Sequence, residues 1–156
     1  MKICTFCGHS KIADTNLLYK KLVSEIRHLA CLGVTEFYSG GYGDFDSLAV
    51  RAVFEVQAEF PNIQNTIVVP YITENHLSRY EYTLEKYNAI TIYPFETEVL
   101  PKFAISKRNE WMVDNSDYII SYVKRDWGGA FNTYEYARRK KKVFIDLTIQ
   151  TPEDFL

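Results

Sequence analysis

Residues 35–60 read TEFYSGGYGDFDSLAVRAVFEVQAEF, a strand, a glycine loop and a helix in succession. Thr35 to Tyr38 reads as a strand. Ala49, Ala52, Val53, Val56 and Phe60 follow at helical spacing, and Pro61 stops them. Between strand and helix lie three glycines in four residues, Gly40, Gly41 and Gly43. A glycine loop that leaves a strand and opens a helix is the setting in which backbone N–H groups and the positive helix end receive a phosphate. Asp44 or Asp46 would cap the helix, and either carboxylate suits a ribose or base better than a phosphate.

Outward from this unit the same alternation continues. Lys2 to Cys7 reads as a strand. Asp14 caps a helix to about Leu32, with Leu18, Leu22, Ile26 and Leu29 on one face and Gly33 just past its end. Thr66 to Val69 is a short strand. Thr73 to Asn88 carries Leu77, Tyr80, Leu84 and Tyr87 at helical spacing, and Ala89 to Tyr93 is a fourth strand. A helix over Ser106 to Asn115, a strand over Asp117 to Val123, a helix over Thr133 to Lys141 and a last strand over Val143 to Asp146 complete the reading. Strands alternating with helices predict an α/β fold: a three-layer Rossmann-like domain, its sheet mainly parallel and its helices on both faces. One such domain accounts for residues 1–156, as the length suggests.

Composition removes other classes. Apolar residues make up 47% and the net charge is −2, which is too apolar and too neutral for a disordered chain. No apolar run approaches the roughly 18 residues that span a bilayer, so no membrane partner is expected. The start, MKICTFCGHS, lacks the long apolar run of a secretory signal. Three cysteines suggest no disulfide framework, and a reducing cytoplasm is the simplest compartment. The near-neutral balance argues against a nucleic-acid partner.

In an open parallel sheet ligands sit beyond the carboxyl ends of the strands. Three loops there are chemically unusual. Gly8-His9-Ser10 follows the first strand, Ser39 to Asp46 the second, and Trp127-Gly128-Gly129-Ala130-Phe131-Asn132-Thr133 the fifth. In the third loop Asn132 or Thr133 would cap the helix and the glycine pair would expose N–H groups. Arg108 and Asn109 are expected to open the helix before the fifth strand, where an arginine can pair with phosphate.

Other signals carry less chemistry. Cys4 and Cys7 are three apart in a strand and point to opposite faces, so no metal centre is expected from them. Cys31 reads as a core residue of a helix face. The run Arg138 to Lys142 complements a helix end. The tyrosines from Tyr80 to Tyr93 suit a core or a subunit interface.

The ordered set of motifs resembles the YpsA-like branch of the SLOG superfamily, which also holds DprA and the LOG-type phosphoribohydrolases. Cys7-Gly8-His9-Ser10 looks like its Thr-Gly-His-Arg start. Ser39-Gly40-Gly41 with Asp46 is similar to its Ser-Gly-Gly…Asp signature. Arg108-Asn109-x-x-Met112-Val113-Asp114, followed by Asp117-Tyr118-Ile119-Ile120, resembles its Arg-Asn-x-x-Met-x-Asp segment. Gly128-Gly129-Ala130 with Thr133 and Tyr136-Ala137 resembles its Gly-Gly-Thr…Thr…Tyr-Ala stretch.

The resemblance implies a cytosolic sensor or regulatory domain that binds a nucleotide or nucleotide derivative, ADP-ribose-like molecules among them, with no cofactor. On that reading Gly8, His9, Ser10, Ser39, Gly40, Gly41, Asp46, Arg108, Asn109, Gly128, Gly129 and Thr133 surround the ligand. Loop N–H groups and Arg108 would meet its phosphate, and Asp46 its sugar or base. A LOG-like hydrolase of nucleoside 5′-monophosphates is the enzymatic alternative, with Arg108 on the phosphate and Glu135 serving the chemistry. Glu135 lies two residues after Thr133, where the LOG pattern has three. A DprA-like association with single-stranded DNA is a third reading. Related enzymes form dimers, and the spare aromatics suit a homodimer or higher homo-oligomer.

Overall fold

In the computed structural model, which describes residues 1–150, six strands form one sheet. They are β1 (Lys2–Gly8), β2 (Val34–Ser39), β3 (Gln64–Val68), β4 (Ala89–Ile92), β5 (Tyr118–Tyr122) and β6 (Val143–Asp146). The helices are α1 (Asn16–Cys31), α2 (Gly43–Gln57), the short α3 (Glu74–Leu77) and α4 (Glu81–Lys86), α5 (Pro101–Asp114) and α6 (Gly129–Arg139). Every strand pair is parallel, so the expected mainly parallel sheet is wholly so. Residues 151–156 of the expected domain lie outside the described residues.

The strand order is β4-β3-β2-β1-β5-β6. The chain builds outward from β1 to β4, then crosses back through α5 to place β5 on the other side of β1. Beyond β1 it turns toward β2, and beyond β5 toward β6. A crevice between loops that leave in opposite directions is the usual ligand position of such sheets. Here it lies between the ends of β1 and β5, where Gly8 stands opposite Tyr122.

Residues of β1 explain the layering. Ile3 to Cys7 are all buried, which requires cover on both faces. Cys4 and Phe6 face α1 and α2, and the Leu18, Leu22, Ile26 and Leu29 stripe closes over them. Ile3 and Cys7 face α5 and α6, with Met112 beside Ile3 and Val113 and Ala137 beside Cys7. Full burial of side chains such as Leu22 and Ile26 contributes roughly 1.5–3 kcal/mol each. The two thiols thus lie on opposite faces, as their spacing implies. Burial raises both, Cys7 to about 12, which keeps them protonated and unreactive.

Several boundaries differ from the sequence reading for identifiable reasons. Helix α5 starts at Pro101, whose fixed φ suits a first helical position, so Arg108 and Asn109 lie within the helix and do not open it. Thr73 to Asn88 is not one helix: α3 passes through a tight turn at Ser78–Tyr80 into α4. Neither Asp44 nor Asp46 caps α2, which Tyr42 precedes. Neither Asn132 nor Thr133 caps α6, because Gly128 at φ +92 starts it earlier. Cys31 is exposed, since the last residue of α1 falls outside the buried stripe. Among the described residues no helix is long and apolar enough to cross a membrane.

Candidate functional site

A cleft of about 250 Å³ opens at the β1/β5 crevice. Its walls bring together Gly8, His9, Ser10, Asp46, Arg108, Asn109, Gly129 and Thr133 of the expected set. Tyr42, Ile105, Arg125 and Ala130 also line it; Tyr42 and Ala130 belong to the glycine loops expected around the ligand, whereas Ile105 and Arg125 are additions to that expectation. Arg125 carries a sequence signal of its own, a cation three residues past the end of β5 in the same crevice.

Arg108 holds the floor of the cleft. Its side chain reaches across from α5 to the ends of the neighbouring strands and is only 4% exposed. Nη1 donates to the carbonyl of Gly40, beyond β2, and to that of Val68, in β3, each at 2.8 Å. Nε donates to Asn109 Oδ1 at 2.8 Å. Among the described residues no acceptor meets Nη2. Burial lowers the pKa of the guanidinium, and nearby Asp46 opposes the shift. No ion pair joins the two among the described residues. Both crowd the single hydrogen of Gly40, where a Cβ would meet Asp46 Oδ2 at 3.0 Å and Arg108 Cζ at 3.1 Å.

Asp46 is half-buried and accepts from the Tyr42 N–H at 3.1 Å. Burial raises its carboxyl to about 6, against the opposing pull of the Tyr42 and Gly40 N–H groups and of Arg108. It is therefore a carboxylate that can gain a proton close to neutral pH.

His9 is buried as well, at 7% exposure. Its Nε2 receives the Lys124 N–H at 2.8 Å, which ties the β1 loop to the β5 loop. Burial, Arg125 and Lys124 all lower its pKa, so the ring is neutral at pH 7.

The two glycine-rich loops play different parts. At the start of α2 the N–H groups are already engaged. Asp44 donates to Ser10 O at 2.9 Å and Phe45 to His9 O at 3.3 Å. A side chain at Gly43 would meet Ser10 Cα at 2.6 Å, so the glycine permits this loop-to-loop contact. Ser39 is 2% exposed and its hydroxyl is shut in beneath the loop. Gly41 packs against Ile67 and Tyr80 in a separate depression. Ser39, Gly40 and Gly41 thus hold the site together and do not line it. At α6 the geometry is open. Among the described residues no acceptor meets the Gly129 or Ala130 N–H, both residues line the cleft, and Gly128 stands just outside as the cap. Unmet donors at a helix N-terminus attract an anion.

Glu135 is not in this cleft. It lines a neighbouring one of about 460 Å³ between α5 and α6, where Arg138 binds it in two hydrogen bonds of 2.9 and 3.1 Å. That bond lowers its pKa. A one-residue change in spacing turns a helical side chain by about 100°, which carries Glu135 away from the cleft that Thr133 lines.

The model of the YspA SLOG family (YpsA) matches residues 3–151. Among solved structures, DNA processing protein A from Helicobacter pylori, described for its single-stranded DNA binding mode, is similar with a TM-score of 0.64 at 15% identity. That match covers 97% of this chain and 67% of the other. DNA processing protein A from Streptococcus pneumoniae is similar with a TM-score of 0.64 at 14% identity, over 93% of this chain and 49% of that one. The molybdenum cofactor carrier protein of Chlamydomonas reinhardtii follows, with 0.58 at 14%, over 97% and 78%. The chain thus spans about two thirds of the first and half of the second. No curated protein matches. At these identities the likeness establishes the shared fold. It also corrects the expectation drawn from net charge against a nucleic-acid partner. A fold shared with a described single-stranded DNA binder gives net charge no power to exclude that partner.

Proposed function

Since the chain belongs to the YspA SLOG family, we propose that it binds a nucleotide or nucleotide derivative, ADP-ribose-like molecules among them, and acts as a sensor or regulatory domain. The phosphate lies against the Gly129 and Ala130 N–H groups and Arg108 Nη2, and Asp46 and Asn109 face the sugar or base. One observation carries the reading: a buried arginine with an unmet nitrogen and a helix N-terminus with unmet N–H groups line the same cleft. Arg108→Ala is expected to weaken binding by about 1.5–3 kcal/mol, the range of a charge-assisted hydrogen bond. Calorimetry with AMP and ADP-ribose tests this, and equal affinity in the variant removes Arg108 from the site.

A second reading, association with single-stranded nucleic acid, is favoured by exposed aromatics beside the cleft. Tyr42 is 76% and Trp127 62% exposed, and such rings stack on unpaired bases. Oligonucleotide binding that falls steeply with salt and is lost in Trp127→Ala supports it. The hydrolase alternative has less behind it, because Glu135 is held by Arg138 outside the cleft.

A further inference from the structure

Arg125 and His9 meet at the mouth of the cleft in an arrangement that the chain alone leaves unbalanced. Lys124 N–H donates to His9 Nε2 at 2.8 Å, so the proton of the neutral ring must sit on Nδ1. Arg125 Nη2 lies 3.2 Å from that same Nδ1. A guanidinium has no acceptor, so two donors face one another. Among the described residues Arg125 has no carboxylate partner. Its guanidinium rests instead on the Trp127 ring, 4.3 Å from the ring centre. Both residues line the cleft that Arg108, Gly129 and Ala130 also line.

We infer that the His9 Nδ1–H and Arg125 together receive a second phosphoryl group, and that Arg125 sets a preference for a diphosphate over a monophosphate. Two donors converging without an acceptor fit an oxygen placed between them. The donors at Arg108 Nη2 and the start of α6 form a separate set that can take a first phosphate. The two donor sets stand on different walls of one cleft, the first on α5 and α6 and the second on the loops after β1 and β5. A diphosphate bridges them, with one phosphoryl at α6 and Arg108 and the other at His9 and Arg125. Among the described residues the one carboxylate lining the cleft is Asp46; it accepts the Tyr42 N–H, its charge acts on Arg108, and no ion pair joins it to Arg125. This inference rests on the phosphate-binding reading above and narrows its ligand class.

The test uses inorganic pyrophosphate and inorganic phosphate as probes, with binding read by calorimetry. Wild type is expected to prefer pyrophosphate at least 10-fold, and Arg125→Gln to reduce that ratio to 3-fold or less. Arg125 is exposed, and an unchanged thermal melt in the variant excludes loss of fold. In ¹⁵N spectra of the imidazole, pyrophosphate is expected to shift the protonated Nδ1 of His9 while Nε2 stays the acceptor. No preference in wild type, a preference kept in Arg125→Gln, or a His9 signal indifferent to pyrophosphate overturns the inference. If pyrophosphate binds in this way but neither AMP, ADP nor ADP-ribose does, the nucleotide reading falls and this inference stands. If nucleotides bind wild type and Arg125→Gln with the same diphosphate preference, the inference falls and the reading stands.

Discussion

Arg108 Nη1 donates to the carbonyl of Gly40, 68 residues earlier in the chain, at 2.8 Å. The same nitrogen holds Val68 O. One side chain from α5 therefore pins the loop after β2 and the end of β3, and still presents a free nitrogen to the cleft. Binding and stability are joined in this residue.

Arg108→Ala should accordingly cost stability as well as affinity. It leaves buried carbonyls without their charged donor, a loss of about 2–4 kcal/mol. Arg108→Lys should recover only part, because an ammonium cannot reproduce the planar fork. Urea unfolding of the three proteins measures the order wild type, Lys, Ala. Equal midpoints for all three would show that the buried contacts carry no weight.

The glycines divide into packing and approach positions. A side chain at Gly8 would run into the Phe45 ring, so Gly8→Ala should destabilise by about 1–3 kcal/mol. At Gly129 nothing lies within 4 Å and the residue is helical, so alanine should leave stability unchanged or raise it by up to about 1 kcal/mol. Thermal melts compare the two directly.

Asp46 makes stability depend on pH with a definite sign. Its folded pKa, about 6, exceeds the ordinary value of 3.8, so the folded state holds the proton more tightly. Its contribution is neutral well below pH 3.8, turns unfavourable as pH rises toward 6, and stays unfavourable above. Asp46→Asn removes the titration and keeps an acceptor for Tyr42. Its stability relative to wild type should rise by about 2–3 kcal/mol between pH 3.5 and 7.5, at roughly 1.4 kcal/mol per unit. A difference that is flat across that range would show that the carboxyl titrates normally.

Glu135→Gln should be quiet. Its pair with Arg138 is a surface (i, i+3) contact, of the kind that solvent screens and that adds little to stability. AMP affinity should match wild type. Release of free base from AMP by wild type but not by this variant would restore the hydrolase reading.

Much of the architecture was legible because it rests on local periodicity. The Leu18 to Leu29 stripe and the buried run of β1 dictate a sheet covered on both faces, and Gly33 past α1 adopts the left-handed φ of +96. Helix starts were harder to read. Pro101 extends α5 backward, and Gly128 does the same for α6, so Arg108 and Thr133 fall a turn or more deeper than capping residues suggest. The Ser39 to Asp46 loop looked like a phosphate cradle because glycine density is the same signal whether the partner is a ligand or another loop. Only tertiary structure reveals that Ser10 and His9 carbonyls take its N–H groups. Arg125 was missed for a related reason. Its importance comes from His9, 116 residues away, and nothing local marks the pair.

On the proposal above, the cleft between β1 and β5 binds the phosphate of a nucleotide-type ligand. Titrating ¹⁵N-labelled protein with ADP-ribose and following the Gly129 and Ala130 amides and the Arg108 side chain tests it most directly. Saturable shifts at these three, larger than elsewhere in the chain, are the expected result. Saturable binding that leaves all three unmoved, or no binding of ADP-ribose, AMP or ADP at all, would contradict the account.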